Sequence, residues 1–286
     1  MKEQRHLFLA ISLRLVLLFI LLLVTFINLP RLMDYGRRVL WGVRSGVTLE
    51  GISMERYHRE EVVETINALA QEEIQWPRDA SLDQESGEIE EEVPGRVVAL
   101  EETLREVMEA EEGESLKLVI RSIPPYITAQ QLRGLTAVWG SYATPLGAGN
   151  GGRVTNIRLS TRALNNYLLL PGETLSFNQV VGPPTAERGY RQAPIIIQGQ
   201  VVPGYGGGIC QTATTLYNTA LAAGLEIVER HRHTMPVDYV PAGMDATISY
   251  NSLDLKFKNN TETPLIINGG VGYQIYFSIL GPEVED

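Results

Sequence analysis

Apolar and polar residues recur with different periods along this chain, and the changes of period divide it into three stretches. Residues 7–29 are almost wholly apolar, broken by Ser12, Arg14, Thr25 and Asn28. A helix needs roughly 20 residues to cross a bilayer, so an N-terminal transmembrane anchor is expected. A cleaved signal peptide is the alternative, but the apolar run is long for one and no small-x-small cleavage site follows. Lys2 and Arg5 precede the run while Arg31, Arg37, Arg38 and Arg44 follow it. The positive-inside rule therefore leaves its orientation open.

Residues 46–128 read as a small α+β module. Residues 47–51 suggest a short strand, 59–69 a helix with Val62, Val63, Ile66 and Leu69 on one face, 100–108 a second helix, and 116–120 a strand stopped by Pro124 and Pro125. The acidic stretch 81–92 between them reads as a solvated loop with a turn at Ser86 and Gly87.

Residues 144–281 form the third stretch. A Gly-rich loop over 146–153 leads to a helix capped by Ser160 or Thr161 and stopped at Pro171 and Gly172. Short strands are expected over 174–177, 195–197, 200–202, 225–230, 246–250, 264–268 and 273–280, with extended chain over 236–240. The alternation of Leu253, Leu255 and Phe257 with Asp254, Lys256 and Lys258 marks one more. Successive short strands separated by turns predict an antiparallel sheet. A helix after residue 208, ending at Gly224, would pack on one face of it. The fold class is thus α+β throughout: a transmembrane helix over 7–29, a small module over 46–128, and a larger domain over 144–281.

Composition narrows the function. The chain has 286 residues, 44% hydrophobic and 20% charged, which suits a folded protein of about two domains. The formal net charge of -10 argues against a nucleic-acid partner. A single cysteine, Cys210, excludes an internal disulfide framework.

That cysteine sits where chemistry is favoured. Gly206, Gly207 and Gly208 lead into Ile209 and Cys210 at the start of a helix. Unpaired N–H groups and the positive end of the dipole lower a thiol pKa there. The same N–H groups suit an anion or a developing oxyanion, and Gln211 could add a donor or cap the helix. Against this stands the ordinary reading, a buried small cysteine after a tight turn. His233 follows the next strand, and Asp245 or Asp254 lies beyond it. Cys, His and an acid on successive elements is the layout of thiol hydrolases. A metal site of Cys210, His231 and His233 is a third option, since zinc takes such ligands, and carries less weight than the thiol chemistry. No cofactor is called for.

The second half resembles the VanW family. The matching runs are Asn156-Ile-Arg-Leu159, Pro171-Gly-Glu-Thr-Leu-Ser-Phe-Asn178, Val181-Gly-Pro183, Gly189-Tyr190, Gly206-Gly-Gly-Ile-Cys-Gln211, Thr214-Thr-Leu-Tyr-Asn218, Ala223-Gly-Leu-Glu-Ile227, Glu229-Arg230, His233, Tyr239-Val-Pro-Ala-Gly243 and Asp245-Ala246. Ala213 stands where the family usually has Ser, and Thr234 where Ser usually follows the histidine. Residues 46–126 are similar, more loosely, to the peptidoglycan-binding module that often precedes such domains. The resemblance implies an envelope protein, membrane-anchored with its bulk outside the cytoplasm, acting on peptidoglycan or its precursors and linked to vancomycin resistance. It supplies no reaction. Two functions follow: a module that binds peptidoglycan or a partner, or a thiol enzyme that transfers acyl groups or cuts amides in stem peptides. Catalysis would rest on Cys210, His233 and Asp245, with Gly206, Gly207, Gly208 and Gln211 as the ligand or oxyanion cradle.

Overall fold

The computed structural model describes residues 2–147, 151–197 and 200–283, and gives the backbone alone for 2–18, 20, 21, 196 and 197. The chain forms two compact units, Met1–Arg78 with Pro94–Pro124, and Asp79–Val93 with Pro125–Asp286. Residues 79–93, which their composition groups with the first module, thus count with the second unit.

Through residue 123 the elements are α1 (Lys2–Trp41), β1 (Thr48–Leu49), β2 (Ile52–Ser53), α2 (Arg59–Glu73), β3 (Ser81–Leu82), β4 (Ile89–Glu90), β5 (Gly95–Val98), α3 (Leu100–Glu109), β6 (Ser115–Leu116) and β7 (Ile120–Ile123). In the first unit β1 pairs antiparallel with β2 and parallel with β6, and β5 pairs antiparallel with β7. Helices α2 and α3 pack together over a core that includes Val47, Leu49, Met54, Val62, Ile66 and Leu104. The Glu61 carboxylate anchors the start of α2, accepting from the His58 N–H at 2.8 Å and from two nitrogens of Arg38 at 2.7 and 2.9 Å.

The helix containing 7–29 is longer than the apolar run. It continues through Pro30 to Trp41. Most side chains of that run fall outside the described residues. Among the described residues no helix is long and apolar enough to cross a membrane.

The second unit continues with α4 (Ala129–Arg133), β8 (Ala137–Pro145), α5 (Gly151–Leu164), β9 (Tyr167–Leu169), β10 (Thr174–Ser176), α6 (Phe177–Val181), β11 (Gln192–Ile197), β12 (Gln200–Tyr205), α7 (Ile209–Ala222), β13 (Glu226–Glu229), β14 (Lys256–Lys258), β15 (Leu265–Val271) and β16 (Gln274–Gly281). An antiparallel sheet runs β8-β16-β15-β9, a smaller one runs β10-β14-β13, and β11 with β12 makes a hairpin. The turn expected at Gln198 and Gly199 lies outside the described residues. In β16, Ile275, Phe277 and Ile279 are buried at the two-residue period of a sheet that covers its core on one face. Helix α7 lies against β8 and β16, and α5 lies against β15 and α7. Ala213, Leu216 and Ala220 of α7 join this core.

Three expectations change. The helix assigned after Ser160 begins at Gly151 and ends at Leu164, within and beyond the stretch read as a Gly-rich loop. Packing overrides the caps: Ser160 is buried and its hydroxyl lies 2.8 Å from that of Thr212 in α7, so it caps nothing. The strand expected over 246–250 is reduced to single bridges, Thr247 to His231 and Ser249 to Leu253. Residues 236–240, expected to be extended, are bends and irregular backbone.

Candidate active site

Helix α7 begins at a left-handed glycine. Gly208 has φ 104°, which a side chain rarely tolerates, and it places Ile209 at the first helical position and Cys210 at the second. Gly207 is closed in by β11: an added Cβ would lie 2.5 Å from the Pro194 carbonyl oxygen. The buried Asn156 amide donates to the Gly207 carbonyl at 3.0 Å and the Arg191 carbonyl at 2.9 Å, while its oxygen accepts from the Arg191 N–H at 2.7 Å. The glycine turn is therefore a packed and pinned element. The Ile209 N–H returns to the Gly206 carbonyl and the Gln211 N–H to that of Gly208. Among the described residues the Cys210 N–H makes no hydrogen bond.

One face of α7 builds the site. Cys210, Thr214 and Asn218 follow at intervals of four and meet the segment 244–248. The Asn218 amide donates to the Met244 carbonyl at 2.8 Å. The Thr214 hydroxyl donates to the Ala246 carbonyl at 3.0 Å and accepts from the Ala246 N–H at 2.9 Å. The Cys210 sulfur lies 3.6 Å from the Thr247 hydroxyl oxygen and 3.6 Å from the Ile248 carbonyl oxygen. Asp245 is thus held one residue before the Thr214 clamp.

His233 joins the cysteine to the acid. Its Nδ1 lies 2.8 Å from Asp245 Oδ2, and its backbone N–H donates to the same oxygen at 2.7 Å. With Nδ1 so engaged, Nε2 is the nitrogen left for Cys210, and the two side chains are close enough to shift each other's ionisation. Burial pushes the Cys210 thiol up, but its interaction with His233, with smaller help from Ile248 and Thr247, leaves it below the ordinary thiol value. Burial pulls His233 down, and its interactions with Cys210 and Asp245 outweigh that and hold it above the usual imidazole value. Burial raises Asp245, and the N–H and ring of His233 bring it below the usual carboxylate range. Both shifts act toward a thiolate beside an imidazolium, with the ring oriented by a carboxylate.

The other sequence candidates lie elsewhere. Gln211 is turned away: its amide donates to the Thr144 hydroxyl at 2.9 Å and the Pro145 carbonyl at 2.8 Å, and its oxygen accepts from Arg153. It has no donor left for an oxyanion, and it does not cap α7. Asp254 accepts from the Ser176 hydroxyl at 2.5 Å and from the Asn178 and Leu255 N–H groups at 2.9 Å each, so it fixes the start of α6. His231 pairs with Glu229 at 2.9 Å.

Two residues of the site were not singled out from the sequence. Arg230 donates from Nε to the Asp245 carbonyl at 2.7 Å and from its terminal nitrogen to the Gly243 carbonyl at 2.7 Å. Its guanidinium also covers the Tyr217 ring at 4.9 Å. Tyr239 is half-buried beside the thiol. Burial and then the charge of Cys210 hold its hydroxyl above the usual phenol value, so it stays protonated. Both lie in runs that carry the family resemblance, which was the signal available.

Residues 152–280 match the family model described as VanW like protein. This stretch carries a VanW family domain. The chain is 46% identical over 142 residues to the uncharacterized protein YoaR of Bacillus subtilis, covering 50% of this chain and 45% of that protein. It is 33% identical over 115 residues to the vancomycin B-type resistance protein VanW of Enterococcus faecalis, covering 38% of this chain and 42% of that protein. The chain thus matches less than half the length of these relatives. No solved structure matches it. The VanW domain contains the whole constellation of Cys210, His233 and Asp245 and every residue that holds it.

Proposed function

We propose that the VanW domain is a thiol enzyme that transfers acyl groups or cleaves amides through Cys210. The observation that carries this reading is the placement of His233 between Cys210 and Asp245. The thiolate attacks a carbonyl carbon, a C–S bond forms, and the carbonyl electrons move to oxygen. The Cys210 N–H at the helix start is positioned to donate to that oxygen. On collapse the C–N bond breaks, and His233 gives its proton to the departing amine. Water or a second amine then attacks the thioester while His233 takes the proton, and the thiolate leaves. Asp245 keeps the imidazole oriented and favours its charged form.

The finer setting is part of the proposal. The substrate class is peptides of peptidoglycan or its precursors, as the resemblance implies, with residues 46–128 as a peptidoglycan-binding module. The apolar run 7–29 would anchor the chain in a membrane, with the domain outside the cytoplasm. Phe26 and Leu32, 76% and 70% exposed on α1, add apolar surface to it. A binding module is the second reading, favoured by a cavity of about 290 Å³ beside His233 and Asp245.

The test is acylation of the full chain by p-nitrophenyl acetate, with the adduct located by mass spectrometry. An acetyl group on Cys210, formed much more slowly in His233→Ala, supports the enzyme. Acetylation of lysines alone, or a Cys210 rate indifferent to His233, sinks it.

A further inference from the structure

The cavity beside the triad is asymmetric, and the asymmetry bears on which half of a substrate it takes. His233 and Asp245 line it, and Cys210 does not. In a thiol acyl transfer the acyl half stays on sulfur, while the amine half departs from the imidazole that protonates it. A space bordering the imidazole but not the sulfur belongs to the departing half.

Its walls define what that half is. Met235, Val237, Val240 and Ala242 supply apolar surface, and Arg232 stands among them. Among the described residues Arg232 has no hydrogen-bond or ion-pair partner. The other charges facing the cavity are already engaged. Asp245 is taken up by His233 and by Arg230, whose guanidinium lies 3.5 Å from its second oxygen. An unpaired guanidinium beside an apolar wall matches a carboxylate next to an aliphatic side chain. At about 290 Å³ the space is at the small end for ligand sites and fits one or two small residues.

We propose that this cavity receives the C-terminal residue of a peptide, a small aliphatic amino acid whose free carboxylate is held by Arg232. The inference rests on the thiol-enzyme reading and names its substrate class. Cys210 attacks the amide carbonyl that precedes the terminal residue. The C–N bond breaks, the His233 proton goes to the amine nitrogen, and the free amino acid leaves from the cavity. The rest of the peptide remains as a thioester on Cys210 until water or another amine takes it.

The experiment uses the full chain carrying Cys210→Ser, which blocks turnover through the thiol, and measures binding by calorimetry. The probes are acetyl-alanyl-alanine as the free acid and as its C-terminal amide, each in the L,L and D,D forms. One free acid should bind at least about tenfold more tightly than its amide, as expected for loss of a charge-assisted contact. Arg232→Gln should remove that preference, and Arg232→Lys should restore part of it while circular dichroism shows all variants folded. Equal binding of acid and amide overturns the proposal. So does binding of neither at millimolar concentration, or an acid preference that survives Arg232→Gln. The nitrophenyl acetate reaction involves no carboxylate, so it reports on Cys210 whatever becomes of Arg232.

Discussion

A single carboxylate oxygen of Asp245 takes two hydrogen bonds from His233, one from the ring Nδ1 at 2.8 Å and one from the backbone N–H at 2.7 Å. The double contact fixes both the ring and the backbone that carries it. It also makes the pair sensitive to acid. Asp245 has a folded pKa below its unfolded value near about 3.9. Its contribution to stability is present above that unfolded value and is lost as pH falls through the lower folded value. Urea melts should show the wild-type chain losing stability below about pH 4 more steeply than Asp245→Asn. Equal slopes would mean that the carboxylate does not bear this load.

Arg230 tests whether the segment before the acid must be held. Its guanidinium spans the Gly243 and Asp245 carbonyls in a fork that a lysine cannot reproduce. Arg230→Lys should cost about 1.5–3 kcal/mol, the range for hydrogen bonds to a charged group. It should also slow Cys210 alkylation. Thermal melts paired with alkylation rates would measure both. A loss of stability with an unchanged rate would separate Arg230 from the site.

Thr214 makes a sharper probe, because Val has its shape without its hydroxyl. Thr214→Val leaves the N–H and carbonyl of the buried Ala246 without this partner, at about 2 kcal/mol or more. Thr214→Ser keeps the bonds and should recover most of the loss. Denaturant midpoints for the two variants decide the matter. Equal midpoints would show that the clamp is dispensable.

Much of this site was legible in the sequence, and the limits have physical causes. Cys210 at a helix start, His233 past the next strand and Asp245 beyond it follow from chain order and turn chemistry. Asp245 could not be chosen over Asp254 from the sequence, because only packing shows that Asp254 is used by Ser176, Asn178 and Leu255. The role of Gln211 was misread for a similar reason, since its partners Thr144, Pro145 and Arg153 are distant in sequence. The helix over residues 151–164 was hidden by its two glycines. The contacts that stabilise it, Asn156 to Arg191 and Gly207 and Ser160 to Thr212, are all long-range.

The glycines before Cys210 give a prediction of the opposite kind. Gly207→Ala would push a methyl into the Pro194 carbonyl, and such overpacking costs about 1–3 kcal/mol. The turn should be destabilised, while the thiol in the folded fraction keeps its pH dependence. A melt and an alkylation profile on the same sample would check both. A thiol that loses activation while the fold holds would make Gly207 part of the chemistry.

The most direct measurement is the alkylation rate of Cys210 by iodoacetamide as a function of pH, in the wild-type chain and in His233→Ala. Pairing with His233 holds the thiol below its ordinary value and raises the histidine. The wild-type midpoint should fall below the reference of about 8.5, and removing His233 should move it upward. A midpoint at the reference in both proteins, or a thiol that never reacts while folded, would contradict the thiolate–imidazolium pair on which the enzyme rests.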